Sequence, residues 1–466
     1  MKKLLVLLAV CSLWSCKKQN EISQSQNGTD KRKTFSAADG LFDVLGYGYN
    51  VTGEYGNSSA ATYKIIDVAR LKAEAPNRVE TDLSKKQDNQ LITSENVESY
   101  SRKVSANLKA TTGFLFFKGS VSASYSDASA FSSKYVYGSY NLVIQEKRVK
   151  FNSTIDLLKN YITPEFTADI QNNSAEYIVR KYGTHVLSDI ILGAKLEVLY
   201  QAQTSKSDRT VAAAAGMDVG IGKLFSINTG LGYDQASTSG NSSQKLHYRT
   251  YGGDPSISLM PTTVSLDQNT PPKVSVANWQ SSSKVENAEL IDISPDGLIA
   301  IYELISDPGK KAAVHQYVDK YLSDNKVKAS ADPIYQFYNG KDGGNHYASP
   351  DINATNGNTG GWGLLGVDFK AFTSQVEGTV PVYLFYNNPS FDHFVTADRS
   401  SVNGFNDWQF YGTIFYAYPT QVPGTVPIYV YYNAGGKNHY TTSEPNITSQ
   451  FPGWAKFGVS FYAFPR

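Results

Sequence analysis

The feature that most limits what this chain can fold into is a triple repeat in its last third. Pro333-Ile-Tyr-Gln-Phe-Tyr-Asn339 recurs as Pro381-Val-Tyr-Leu-Phe-Tyr-Asn387 and as Pro427-Ile-Tyr-Val-Tyr-Tyr-Asn433. Asn345-His346-Tyr347, Asp392-His393-Phe394 and Asn438-His439-Tyr440 follow in turn, then Trp362, Trp408 and Trp454, then Gly366, Gly412 and Gly458. From the tryptophans onward the offset is 46 residues in both steps. Each unit offers short alternating runs bounded by Asn, Gly, Pro and Ser, the pattern of strands and turns. About four strands per unit are expected, which predicts an all-β, β-trefoil-like domain over 330–466. A three-sheet prism is the other closed arrangement. Of 32 tyrosines, 13 fall in the last 134 residues, and such large side chains are what a small disulfide-free β domain needs for a core.

Half of the six histidines are the repeated His346, His393 and His439. Two readings stand side by side. Each histidine, with its flanking Asn345, Asp392 or Asn438 and an aromatic for stacking, is the polar centre of a shallow sugar site. Alternatively each bonds its own turn, a pattern that repetition copies three times.

The only cysteines are Cys11 and Cys16, so no disulfide or cysteine-bound metal site is expected in the folded body. Lys2-Lys3 precedes an apolar run from Leu4 to Trp14, too short for the ~20 residues of a spanning helix and right for a signal-peptide core. The run ends Leu13-Trp14-Ser15-Cys16, which resembles the lipobox of bacterial lipoproteins. That implies a signal peptide over 1–15, acylation at Cys16 and a protein anchored to the bacterial outer membrane or released from it. Residues 16–34 are polar and aperiodic and read as a tether. Formal net charge is +1, and loss of the two leader lysines makes it slightly negative. No nucleic-acid partner is expected on that balance.

Between 35 and 325 the texture changes to longer segments. Tyr182-Gly183-Thr184-His185 is followed by Gly193, with Ala194 after it, and Tyr251-Gly252-Gly253-Asp254-Pro255 lies further on. Trp279, Pro295 and the run Leu298 to Ile305 complete the order, while Gly46-Tyr-Gly-Tyr-Asn-Val51 stands upstream. Together these resemble the membrane-attack-complex/perforin (MACPF) family over about 290 residues. The resemblance implies an α+β fold: a bent, twisted antiparallel central sheet flanked by helical clusters. It also implies that two clusters refold into hairpins that join neighbouring copies in a ring-shaped barrel. No enzyme and no cofactor are implied. Asp189 four residues after His185 invites a catalytic pair, but no nucleophile is marked by spacing. Tyr182 to His185 and Gly193 are expected to be structural.

Two segments, around 100–130 and 203–240, fit the switching role. Val104 to Thr111 and Val121 to Ser126 alternate, as lipid-facing strands of ~10 residues require. Ala212 to Ala215 favours a helix, while Ile227 to Tyr233 alternates and is glycine-rich. Mixed Ala, Gly, Ser and Thr commit weakly to either state. Gly252 and Gly253 beside them read as a hinge or as an ordinary tight turn. A helix is predicted over Lys310 to Leu322 from its i, i+3, i+4 spacing. The partners expected are target-membrane lipids, further copies of the chain, and a surface glycan or outer-membrane component. The functional expectation is a pore-forming antimicrobial or contact toxin, with a non-lytic surface adhesin as the alternative.

Overall fold

The computed structural model describes residues 41–106, 118–125, 128–267, 273–341 and 344–466. The leader, Cys16 and the tether lie outside the described residues, as do Leu108 to Thr111 of the first switching segment. At the centre run four long antiparallel strands in spatial order Lys86–Ser94, Tyr135–Phe151, Asp189–Thr204 and Asn241–Tyr251. The two middle strands have 17 and 16 residues, about 55 Å at ~3.3 Å per residue. Thr262–Ser265 borders Asn241–Tyr251, Val79–Asp82 borders the far end of Tyr135–Phe151, and Glu289–Ile293 borders the start of Asp189–Thr204.

Side chains alternate across a strand, and here the alternation separates two unlike faces. Val136, Tyr140, Leu142, Ile144, Leu196, Val198, Tyr200, Leu246 and Tyr248 make one face apolar. The helix Arg209–Phe225 lies on it through Ala213, Met217, Ile221 and Leu224, beside buried Trp279. The other face carries Ser139, Gln145, Lys195, Gln201, His247 and Arg249, all buried. Helices Val97–Ala106 and Lys118–Ser124 cover it through Tyr100, Val104, Val121 and Tyr125. Thus much of the described first segment is helical, and so is 209–225 of the second, whereas its Ile227 to Tyr233 run lies in a loop.

A second, four-stranded sheet joins Leu298–Ala300, His185–Leu187, Tyr47–Tyr49 and Ala61–Lys64. The predicted C-terminal helix runs Pro308–Asp324. Asp307 caps it, accepting from the Lys310 N–H at 2.6 Å, which supplies the negative charge that its lysine-rich first turn lacks.

The repeats form three strands each, not four. Asp332–Asn339, Asn345–Ser349 and Trp362–Ala371 make the first unit. Val380–Asn387, Asp392–Thr396 and Trp408–Ala417 make the second. Val426–Asn433, Asn438–Thr442 and Trp454–Pro465 make the third. The expected fourth run, 350–361 in the first unit, is spent on turns, because Asn, Gly and Thr crowd it. The arrangement is therefore a prism of three three-stranded units, each with its first strand in the middle, rather than a trefoil of four-stranded units. Its third strands interlock in a cycle, through bridges Phe372 to Tyr416 and Tyr418 to Tyr462 and the pair Lys370 to Phe464.

Phe369, Phe415 and Phe461 meet on the axis with centroids 5.7–5.8 Å apart, each edge to face. Ile334, Val382 and Ile428 pack around them. The repeated glycines sit at register shifts with φ of +115°, +110° and +135° at Gly366, Gly412 and Gly458, where an L side chain would be strained. Phe415→Ala should leave a hole on the axis and cost ~3–5 kcal/mol. Chemical denaturation of the full chain should show the prism's transition shifting while the body's transition stays in place.

Candidate functional site

The Tyr182 to His185 tetrad ends one element and starts another. Helix Ala175–Tyr182 stops at Gly183, whose φ is +80° and whose N–H bonds Val179 O. A Cβ there would sit 2.6 Å from the Tyr49 carbonyl, so only glycine allows the approach. Buried Tyr182 donates to Asp169 at 2.7 Å and packs edge-on against Phe166. Thr184 Oγ1 donates to Tyr49 O and accepts from the Val51 N–H, both at 3.3 Å. Burial pushes the His185 imidazole down to about 4. Asp189 is held by Arg148 at 2.8 and 2.5 Å and by Ser294 at 3.0 Å. These contacts join the helix end to the neighbouring strand, and the histidine is sealed from solvent.

Gly193, Gly252 and Gly253 come together where the long strand changes partner. Asp189–Thr204 pairs with Glu289–Ile293 up to Gly193 and with Asn241–Tyr251 from Lys195 onward. A Cβ on Gly193 would lie 1.9 Å from Ile144 O, and one on Gly252 would lie 2.1 Å from Gly193 O. Gly252 and Gly253 have φ of +63° and +72°, and Trp279 Nε1 donates to Gly252 O at 3.0 Å. Register shifts fall beside Gly193 on both sides of its strand. The glycine pair therefore marks the line along which two parts of the sheet meet, with Trp279 fastening it.

Both helical insertions leave the sheet at one end. The ladder of Lys86–Ser94 with Tyr135–Phe151 closes on Ser94 and Tyr137; that of Asp189–Thr204 with Asn241–Tyr251 closes on Thr204 and Asn241. Gln203 pairs with Tyr135 between them. Each insertion thus stands where a hairpin turn would be.

The two insertions are held differently. Arg209–Phe225 lays small residues against the sheet, with Gly216 against Tyr200, and Asp218 ties the following loop back through Thr229 Oγ1 at 2.5 Å and the Tyr233 N–H at 2.7 Å. The first insertion adds polar groups to its apolar contacts: Ser101, Ser120 and Ser124, with Tyr100 and Val104, face Gln90, Ser139, Asn141 and Glu197 around a cavity of about 30 Å³, the size of one water.

Next to that cavity lies a buried charge network. Arg249 bridges Glu54 at 2.8 Å and Glu197 at 2.9 Å, while Lys195 approaches Glu197 at 3.7 Å. Tyr55 donates to Asp292, and Gln90 donates to the same carboxylate at 2.7 Å. Burial pulls the Lys195 ammonium down. Burial alone would raise the Glu197 carboxyl, but Lys195 and Arg249 hold it below its usual range. The segment 52–56 fixed by this network touches the first insertion: Tyr55 N–H donates to Ser120 Oγ at 2.9 Å and Gly119 N–H to Thr52 O at 3.0 Å.

In the prism, each histidine packs against a tyrosine of its own repeat and also reaches into the neighbouring one. His393 lies by Asn345, Tyr347 and Trp362, its Nδ1 3.0 Å from the Asn345 amide. His346 lies by Asn438, Tyr440 and Trp454, its Nδ1 3.2 Å from Asn438 Oδ1. His439 stacks on Phe394 at 4.1 Å, near Trp408, and Asp392 accepts from its N–H at 2.8 Å and pairs with Nδ1 at 2.6 Å. Repeat boundaries are thus stapled in a cycle.

The boundary of the second and third repeats also holds a cleft of about 530 Å³, lined by Asp392, Phe394, Phe405, Trp408, His439 and Phe457. Leu365, Tyr411 and Phe457, at equivalent positions, are 58–65% exposed. All of these lie at the hairpin end of the prism, a strand's length from Asp332 and Phe372 at the other end.

Sequence reasoning missed the charge network, whose members are scattered from Glu54 to Asp292 without local spacing. It also missed Asp332, although a signal existed: repeats two and three carry Val380 and Val426 at that position.

A MAC/Perforin domain model matches residues 35–331, and a domain of unknown function, DUF5648, matches 325–464. The chain belongs to the MAC/Perforin family. Members of that family are pore-forming rather than enzymes, and the role of this chain is perforin-like and membrane-targeting. No curated protein matches the sequence. Among solved structures, a cell invasion protein with a MAC/Perforin domain from Bacteroides thetaiotaomicron is similar, with 16% identity over 81% of this chain and 72% of its own and a TM-score of 0.49. GNIP1Aa from Chromobacterium piscinae is similar too, at 13% identity over 90% of each chain and a TM-score of 0.49. No helix among the described residues is long and apolar enough to cross a membrane.

Burial pushes His346 and His393 down to about 4 from a usual value near 6.5. Folding therefore favours their neutral forms, and the stability this provides is full above pH 6.5 and lost as pH falls toward 4. The prism's denaturation midpoint should fall over that window. His346→Asn with His393→Asn should flatten the profile, measured by urea titration at stepped pH.

Proposed function

We propose that this chain is an exported pore-forming protein of bacteria, acting as an antimicrobial or contact toxin. It is lipid-anchored through Cys16, and the prism's distal end docks on a surface glycan or outer-membrane component. Neighbouring bodies then associate edge to edge, and both insertions extend as hairpins into the target membrane. One observation carries this reading: each insertion joins adjacent antiparallel strands, so unfolding it continues an existing ladder without changing topology. Each insertion is roughly twice as long as the two ~10-residue strands that a hairpin needs to span a bilayer. A hairpin from one copy leaves unpaired edges in lipid, which is why closure into a barrel requires many copies.

For the prism, the cleft between the second and third repeats supports recognition best. Its aromatic walls suit the flat face of a pyranose, and Asp392 with His439 gives it a polar floor. The alternative reading, a non-lytic adhesin that binds through the same cleft, draws support from the buried charge network that secures the first insertion.

Full-length protein should release dye from vesicles of bacterial outer-membrane lipid, with ring-shaped particles in negative stain. Binding without leakage or rings would leave the adhesin. Trp408→Ala with His439→Ala should weaken attachment to target-cell polysaccharide at least tenfold in a pull-down while the fold persists by circular dichroism. Unchanged attachment would remove the cleft from the mechanism. Cys16→Ser should abolish labelling by a radiolabelled fatty acid, and labelling that persists would move the anchor elsewhere.

A further inference from the structure

The chain that enters the prism crosses the root of the first insertion and is bound to it. Ser330 forms a parallel bridge with Ser132. The Ser133 N–H donates to Ser330 O at 3.1 Å, and the Ser330 N–H to Phe131 O at 2.7 Å. Asp332, only 5% exposed, accepts from Ser132 Oγ and Ser133 Oγ, both at 2.5 Å. The loop that follows the first repeat returns to the same point. There the Thr373 N–H donates to Ser133 Oγ at 2.8 Å and Ser374 Oγ to Ser133 O at 3.1 Å.

The other arm of the root is held as well. Buried Asn96 donates to Ser374 Oγ at 3.1 Å and to Gln375 O at 2.9 Å, and Glu98 accepts from the Ala329 N–H at 2.8 Å. Arg209, at the start of the second insertion, donates to the carbonyls of Glu95, Ser133 and Lys134, each at 3.0 Å. Phe372 and Val376 of the prism pack into the body's core.

The sheet register turns these contacts into an obstacle. Ser94 faces Tyr137 and Thr93 faces Gly138. Continued in the same register, the ladder would bring Asn96 opposite Tyr135 and Glu98 opposite Ser133. The Ser133 N–H and C=O are both committed, to Ser330 on one hand and to Arg209 and Ser374 on the other. Backbone groups cannot serve two ladders, and moving to lipid without a partner costs each several kcal/mol.

We propose that residues 329–333 and the loop 373–375 form a lock on the root of the first insertion, and that the prism must come off the root before the hairpin can extend. A ligand at the distal end favours the unlocked state to the extent that it binds the released prism more tightly than the locked one. The proposal rests on the pore-forming reading, and its two tests separate the one from the other.

Ser133 Oγ and Thr373 Oγ1 lie 3.2 Å apart, so a full-length chain with Ser133→Cys and Thr373→Cys places two thiols in contact. With the disulfide verified by peptide mapping, the oxidised protein should bind vesicles like the wild type but leak dye at least tenfold more slowly, and reduction should restore the rate. Equal leakage by oxidised and reduced protein would overturn the lock. The second test needs no membrane. Asp332→Ala should raise hydrogen exchange at least tenfold over 95–106 and 118–134, while Asp189–Thr204 and the prism's axial strands keep their protection. Asn96→Ala serves the same purpose should Asp332→Ala fail to fold. Exchange that is unchanged, or that rises only over 329–333, would overturn the lock. Were wild-type protein to leak from no membrane, the pore reading would fall and the exchange comparison would decide the lock alone.

Discussion

Everything in this molecule depends on a pair of long strands whose alternate side chains differ in kind. Along Tyr135–Phe151 and Asp189–Thr204, even-numbered positions include Val136, Tyr140, Leu142, Leu196 and Tyr200, whereas odd-numbered ones include Ser139, Gln145, Lys195, Glu197 and Gln201. One face is thus an oil-like platform and the other a polar one. The second insertion gains its position from apolar burial, worth ~25 cal/mol per Å², and a membrane can return that gain. The first insertion combines the buried Tyr100, Val104, Val121 and Tyr125 with hydrogen bonds beside buried charges. Those charges were costly to desolvate, so opening the face to water returns hydration to Lys195, Glu197 and Arg249 and offsets part of the cost of breaking its hydrogen bonds. The two segments can therefore leave the sheet for different reasons, one for lipid and one for water.

The same sheet explains the glycines. A strand that pairs with one partner before Gly193 and another after it must bend there, and side chains at the bend would collide with backbone oxygens. Glycine at 193, 252 and 253 removes the obstacle, and the Trp279 hydrogen bond to Gly252 keeps the bend at one angle. In the proposed assembly, where the sheet packs against neighbouring copies, this line is the place at which the sheet can change its bend while its strands stay paired. The disulfide-free sequence after Cys16 is consistent with that change.

What could be read from the sequence was whatever repeats or sits in one stretch. The three repeats copy their core residues at a fixed offset, so the all-β domain and its aromatic axis were visible. The Tyr182 tetrad and the helix ending near Leu322 are each local. The strand count was overestimated because the turn segment at 350–361 alternates polarity as strands do. The contacts of the histidines across repeat boundaries were not legible because those boundaries exist only in space: His393 meets Asn345 across 48 residues. Most of the charge network was invisible for the same reason: Arg249 meets Glu197 across 52 residues and Glu54 across 195.

Asp332 shows how a broken repeat carries information. A threefold domain has three equivalent corners, but it can be attached to a single-copy body at only one. Attachment therefore has to break the symmetry, and it does so at the proximal end. Asp332 replaces the valine of the other units, and Thr373-Ser374 stands where the second unit has Pro419-Thr420. At the distal end the histidines and tryptophans keep the symmetry, while Asp392 stands among two asparagines and Leu365 where the other units carry Tyr411 and Phe457. The two ends thus answer to different demands, one asymmetric and facing the body, the other near-symmetric and facing outward. The Phe369, Phe415 and Phe461 axis packs between them, so the two ends share one core although their residues answer to different partners.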